Sequence, residues 1–202
     1  METLMLDVSI RSAYYAPGEA VFKNFAMSLG QGELAAVVGP SGSGKSTLLR
    51  IIAGLHEGFD GSVNIAPGAR LAYIPQSRCL LPWKTVLQSV VALGKLGKRP
   101  AHMEKARELI RAIGLEGLED RYPNSLSGGQ YQRVALGQAV YFEPDILLMD
   151  EPFSSLDTGS KREVQDVFRE LQQRTGMAAI LITHDLREAD YLKGSVFELK
   201  NC

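Results

Sequence analysis

Three short stretches carry residue types whose spacing could do chemistry. The first is "GPSGSGKST", residues 39–47. Gly39, Gly44, Lys45 and Ser46 match the pattern G-x-x-x-x-G-K-[ST]. Glycines at such spacing let backbone N–H groups turn inward around phosphates with no Cβ in the way. Pro40, Ser41, Gly42 and Ser43 complete the loop and Thr47 follows it. A helix starting near Lys45 adds its positive end. Lys45 then reaches the β- and γ-phosphates of a nucleotide, and the Ser46 hydroxyl can ligate Mg²⁺. The second stretch is "ILLMDEP", which places Asp150 and Glu151 at the end of an apolar run. In open α/β sheets ligands sit beyond the carboxyl ends of the strands. Asp150 there suits Mg²⁺, and Glu151 suits a residue that accepts or orients the proton of an attacking water. The third is "LSGGQ", residues 126–130, where Ser127, Gly128, Gly129 and Gln130 open the helical run "YQRVALGQAV". A Ser-capped, glycine-bare helix start is also ready for an anion. By itself such a stretch is more often an ordinary capped start after a turn.

These residues need elements to hold them. "ELAAVVG" (33–39) is a short apolar run that predicts a strand buried on both faces, entering the phosphate loop directly. Further strands are predicted at "ARLAYIP", "DILLMD", "AAILIT" and "SVFEL". Near the N-terminus "LMLDVSI" and "AVFKNFAMSL" show partial period-two patterning, split by Pro17-Gly18, and predict an antiparallel part. Helical signals fill "TVLQSVVALGKLG" and "AHMEKARELIRAIG", the second with Met103, Ala106, Leu109, Ile110 and Ile113 on one stripe. "KREVQDVFRELQQR" turns Val164, Val167, Phe168 and Leu171 inward. Strands alternating with helices predict an α/β fold with a mainly parallel sheet and flanking helices. The helical stretch of roughly residues 77–142 interrupts the alternation as a subdomain on the same core, within one domain over 1–202.

Composition sets bounds. The chain has 202 residues, enough for one sizeable domain. Net charge is −1, which implies no general attraction to nucleic acid or an anionic membrane. Cys79 and Cys202 are too few for a disulfide framework and suit a reducing compartment. No apolar run approaches the length of about 18 residues that a membrane span needs. The N-terminus, with Glu2 and Asp7, lacks the basic start of a signal peptide.

Taken together, the motifs resemble those of ATP-binding cassette (ABC) ATPases, the nucleotide-binding subunits of transporters, over essentially the whole chain. "LSGGQ" is that family's signature motif. Gln76 in "YIPQ" matches its Q-loop, Ser154–Asp157 its D-loop, and His184 in "LITHD" its switch histidine. Tyr14 or Tyr15 lies where the family places an aromatic that stacks on adenine; the sequence does not choose between them. The resemblance implies a P-loop NTPase with ATP and Mg²⁺ as cofactors. Lys45, Glu151, His184 and Gln76 then act in catalysis, Asp157 faces the nucleotide, and Gln76 joins Ser46 and Asp150 near the metal. It further implies a head-to-tail pair of subunits in which the Ser127–Gln130 helix start of one closes on the nucleotide of the other.

The same resemblance implies an integral membrane permease and a substrate-binding protein as partners. It places the chain as a peripheral subunit on the cytoplasmic face of the inner membrane, with no nucleic-acid role. "CLLPWKTV" (79–86) is similar to a run in the nitrate, sulfonate and taurine importer ATPases. Leu80, Leu81, Pro82 and Trp83 there either line the groove that receives the permease or pack the helical subdomain. Where many family members read "RVALARAL" this chain reads "RVALGQAV", so Gly137 and Gln138 depart from the pattern, and a helix-interior Gly costs roughly 1 kcal/mol relative to Ala. The short stretch after His184 leaves no length for the C-terminal regulatory domain of some importers. His56 and His102 fit no motif and are expected at the surface. A guanylate-kinase-type enzyme and a non-transport ABC ATPase are the alternatives.

Overall fold

The computed structural model describes residues 3–16, 18–96 and 102–200. Pro17, Cys202, Glu2 and the junction between the two helices expected on either side of residue 99 lie outside the described residues. The chain begins with β1 (Leu4–Tyr14) and β2 (Ala20–Gly30), a hairpin. β3 (Leu34–Val38) leads into α1 (Lys45–Ile52), and β4 (Phe59–Ile65) returns to pair with β1. These make an antiparallel sheet in the order β2-β1-β4. β5 (Leu71–Ile74) is followed by α2 (Val86–Val90), α3 (Ala92–Leu96), α4 (Met103–Ala112) and α5 (Gly128–Tyr141). The chain then runs through β6 (Ile146–Asp150), α6 (Thr158–Thr175), β7 (Ala178–Thr183), α7 (Leu186–Leu192) and β8 (Ser195–Glu198). The second sheet has the order β5-β6-β7-β3-β8, and every pairing in it is parallel.

β3, β6 and β7 are buried along their whole length, as continuous apolar runs require. Their side chains alternate between two cores. Leu147, Met149, Ala179 and Leu181 face the core shared with α2, α4, α5 and α6. Ile146, Leu148, Ile180 and Ile182 face the core shared with α1 and the antiparallel sheet. Helix α1 presents Leu48, Leu49, Ile51 and Ile52 to that second core, which fixes how the phosphate loop sits on β3.

Several expectations change in detail. The helix expected over "TVLQSVVALGKLG" is two short helices broken at Val91, the first capped by a reciprocal Thr85–Gln88 box. Met103 is 40% exposed and does not join the α4 stripe, because it sits at the first position of the helix, beyond the buried face of Ala106, Ile110 and Ile113. α5 is buried on nearly all sides, and a Cβ on Gly137 would lie 2.9 Å from Ile113 Cδ1. The glycine is therefore a seat for Ile113, and Gln138 is buried beside it. β4 and α7 carry no signal in the sequence reading. β4 is an exposed edge strand with only partial apolar content, and α7 is a short helix started by its Asp185 cap.

At Gly61 in β4 φ is +146°, and a Cβ there would collide with the carbonyl oxygen of Ser9 and lie 2.8 Å from Ile10 Cα. Both obstacles are backbone of the paired strand β1. Gly61→Ala should lower stability by about 1–3 kcal/mol, read as a fall in the urea midpoint. An unchanged midpoint would show that the β1–β4 edge yields at no cost.

Candidate nucleotide site

Four neighbouring strands of the parallel sheet end together, and the predicted residues follow their ends. Gly39 follows β3, Gln76 follows β5, Asp150 ends β6 with Glu151 next, and His184 follows β7. The register pairs Val38 with Thr183 and Asp150 with Ile182, so the ends are level.

The loop from Gly39 to Gly44 has φ of +80° at Gly42 and +93° at Gly44. A Cβ on Gly44 would also lie 2.7 Å from Phe22 and Val21 side-chain atoms, so this turn admits only glycine. Lys45 is buried at the start of α1, and its Nζ donates to the carbonyls of Gly39 at 2.9 Å and Pro40 at 2.8 Å. The ammonium is thus curled over its own loop, where a phosphate would lie. Ser43 Oγ is buried and finds no hydrogen-bond partner among the described residues.

The Ser46 hydroxyl donates to Asp150 Oδ1 at 3.0 Å, and the Tyr73 hydroxyl donates to Oδ2 at 3.3 Å. Burial pushes the Asp150 carboxyl up, against the opposing pull of the Ser46 and Tyr73 hydrogen bonds. Burial, then the neighbouring Asp150 charge, pushes the Tyr73 phenol up to about 12, so it remains a donor at neutral pH. Tyr73 is a site residue the sequence reading missed; as an aromatic in the strand before Gln76 it reads only as core.

Glu151 has φ of +47°, a left-handed conformation that costs an L-residue roughly 1–2 kcal/mol. The turn aims its carboxylate away from the strand. Gln76 Nε2 donates to Glu151 Oε2 at 3.4 Å, and His184 Nδ1 lies 3.5 Å from the same oxygen. His184 stays largely exposed, with 61% of its side chain accessible.

The Tyr15 hydroxyl is 2.9 Å from Thr47 Oγ1, so Tyr15 leans over α1 beside the phosphate loop. Tyr14 turns its carbonyl to His56 Nε2 at 2.9 Å. His56 is half-buried, its ring edge-on to Tyr15 with centroids 4.8 Å apart, so the surface assignment fails for it. The cause is the loop after α1, which folds back so that Tyr14 N–H bonds to the Gly58 carbonyl. His102 is exposed as expected.

The signature segment sits elsewhere. Ser127 caps α5: its Oγ accepts from Gln130 N–H at 3.2 Å, while Gln130 Oε1 accepts from Ser127 N–H at 3.0 Å. Asp157 caps α6, accepting from Gly159 and Ser160 N–H groups at 3.0 Å, and the Ser160 hydroxyl first, then these N–H groups, hold its carboxyl below the ordinary value. Gly128 and Gly129 leave room for Leu156 and Ser160. Among the described residues no hydrogen bond links Ser127–Gln130 or Asp157 to the phosphate loop.

The residues present fit a magnesium nucleotide. Ser46 and Asp150 bring hard oxygen donors to one point, as Mg²⁺ requires. The unpartnered Ser43 hydroxyl and the buried Lys45 ammonium suit phosphate oxygens. Among the described residues no three His, Cys, Asp or Glu side chains form an all-protein metal cage.

The parallel sheet with this loop and these carboxylates defines a P-loop nucleotide hydrolase. The ABC transporter family model matches residues 22–154, and the chain belongs to that family as its ATP-binding, ATP-hydrolysing subunit. It is 44% identical over 186 residues to the aliphatic sulfonates import ATP-binding protein SsuB of Bacillus subtilis, covering 89% of this chain and 72% of the relative. It is 41% identical to an SsuB of Burkholderia cenocepacia, covering 96% of this chain and 73% of that protein. Among solved structures it superposes with a TM-score of 0.82 and 28% identity on a dimeric ATP-binding cassette in a post-hydrolysis state with ADP and Pi, covering 98% and 96% of the two chains. These matches favour neither a nucleotide kinase nor a non-transport ATPase.

Asp185, next to His184, caps α7 and grips the Arg187 guanidinium at 2.9 Å. The Arg187 hydrogen bond holds the Asp185 carboxyl down at about 2 against an ordinary 3.8. The folded state therefore binds fewer protons than the unfolded one between those values. The stabilisation is complete above the ordinary value and is lost as pH falls toward about 2. Asp185→Asn should lower Tm at neutral pH and flatten the fall of Tm in that acid window. A variant that follows the parent curve throughout would remove this pair from the acid response.

Proposed function

We propose that this chain energises a bacterial importer for small organic sulfonates, binding Mg²⁺-ATP at the level ends of β3, β5, β6 and β7. The observation that carries the reading is the convergence of Lys45, the Ser46–Asp150 pair, Glu151, Gln76 and His184 on one point of the sheet. The chain works as a single ATPase domain whose helical part, roughly residues 77–142, rides on the shared core. Lys45 exchanges its own loop carbonyls for β- and γ-phosphate oxygens. Pro40, Ser41, Gly42, Ser43 and Gly44 wrap those phosphates, and Thr47 and Tyr15 hold the nucleotide's other end with the ring against the base. Ser46, Asp150 and Gln76 hold the magnesium. When bound, that ion neutralises charge on the phosphates.

Gln76 and His184 both approach Oε2 of Glu151, which leaves Oε1 to accept a hydrogen bond from the attacking water. The strained backbone of Glu151 fixes that aim. His184, exposed beside Glu151, donates to the γ-phosphate.

Ser127, Gly128, Gly129, Gln130 and Asp157 serve the nucleotide of a second copy in a head-to-tail dimer. The dimeric cassette among the structural neighbours supports this. The importer relatives support a membrane permease and a substrate-binding protein as further partners, and a place at the cytoplasmic face of the membrane. None of the described helices is long and apolar enough to cross a membrane.

Leu80 is buried, whereas Leu81 is 38% and Trp83 is 68% exposed. This supports docking over packing for Trp83, and we assign the permease to that surface.

Glu151→Gln should keep ATP affinity and lose turnover by about 10²-fold or more, and should dimerise at saturating ATP in analytical ultracentrifugation. Full turnover would remove Glu151 from its role, and a monomer with bound ATP would refute the shared site. Trp83→Ala should keep its ATPase rate while losing recovery in the membrane fraction with the permease; undiminished recovery would return Trp83 to a role without docking.

A further inference from the structure

The turn that carries His184 is fastened on both sides. Thr183, before it, is buried, and its hydroxyl donates to Glu188 Oε2 at 2.6 Å while accepting from the Asp185 N–H at 3.0 Å. Glu188 is buried in α7, and its other oxygen, Oε1, accepts from Lys161 Nζ at 2.6 Å. Lys161 Nζ also lies 3.9 Å from Asp185 Oδ2. Lys161 stands in the first turn of α6, its N–H bonded to the Asp157 carbonyl at 2.8 Å. A cavity of about 210 Å³ opens beside this group, lined by Thr158, Arg162, Gln165 and Arg187 as well as the pair. The turn is therefore not backed on that side by packed apolar side chains. Glu188 is buried and Lys161 partly so; such a pair is often no more stabilising than apolar side chains of the same shape, and its best-attested use is to set register.

We propose that Lys161 and Glu188 are positioning residues for His184, tying the histidine turn to the helix start at Asp157 so that His184 meets the chain's own nucleotide in fixed register with the turn offered to the second copy's. The inference rests on the reading of His184 as a γ-phosphate contact. Without Lys161, the carboxylate of Glu188 turns toward water in the cavity, Thr183 loses its acceptor, and the peptide on both sides of His184 is released. ATP affinity, set by Lys45 and the phosphate loop, remains.

The test is steady-state ATPase and ATP titration of the purified protein and the variants Lys161→Met, Lys161→Arg, Glu188→Gln, His184→Ala and the Lys161→Met/His184→Ala double. Lys161→Met should lower kcat about tenfold or more with KM for ATP within about twofold. Lys161→Arg should recover most of the loss. In the His184→Ala background Lys161→Met should cost nothing further, because its effect runs through the histidine. A loss that multiplies with that of His184→Ala, or a rise in KM with kcat intact, overturns the proposal. If His184→Ala itself turns over at the parent rate, the histidine reading fails and the positioning role fails with it. If His184→Ala is impaired while Lys161→Met is not, only the positioning role fails. Should Lys161→Met not fold, Glu188→Gln, which keeps the shape of the side chain, decides the same comparison.

Discussion

The hydrogen bond from Ser46 to Asp150 joins residues far apart in the chain, and it exists only because β3 and β6 end level on either side of β7. That levelness is a matter of register. A parallel strand buried on both faces cannot slip by one residue without exchanging its two side-chain sets between the two cores. The apolar runs of β3, β6 and β7 therefore do more than bury surface. They fix the height at which the phosphate loop, the Asp150 carboxylate and the histidine turn emerge. A phosphoryl transfer that asks the protein for positioned charge more than for covalent bonding has this scaffold as its main requirement.

Much of this was legible in the sequence. Runs such as "AAILIT" and "DILLMD" can bury both faces only as inner strands, and the strands observed there follow them closely. The phosphate loop is legible because glycine spacing reports backbone shape directly, as the φ values at Gly42 and Gly44 bear out. What escaped was set by tertiary partners. β4 is exposed on much of its surface and owes its strand form to pairing with β1. His56 gains its place from a loop closure at Gly58, which no local pattern encodes. Tyr73 reads as core until the strand order shows it beside β6. Gly137 reads as a helix defect until Ile113 is seen to occupy the space.

The proposed site is built in two unequal parts. One part is assembled around Asp150, with hydrogen bonds that link four strand ends. The other, the starts of α5 and α6, spends its polar groups on its own caps: Ser127 with Gln130, Asp157 with Gly159 and Ser160. These caps are complete within one chain, so for Ser127 to meet a phosphate it must share or surrender the N–H bond it now accepts. A helix start whose serine is already occupied is kept in shape while it waits.

The absence of side chains at Gly128 and Gly129 has a mechanical consequence. Leu156 and Ser160 lie against the bare backbone of α5, with 3.1 Å to where each Cβ would stand. At Gly129 the neighbour is the Cβ of Ser160, close to its own backbone, whereas at Gly128 it is the tip of the Leu156 side chain. The serine turn and the aspartate turn thus abut at Gly129, so a shift of one presses directly on the other.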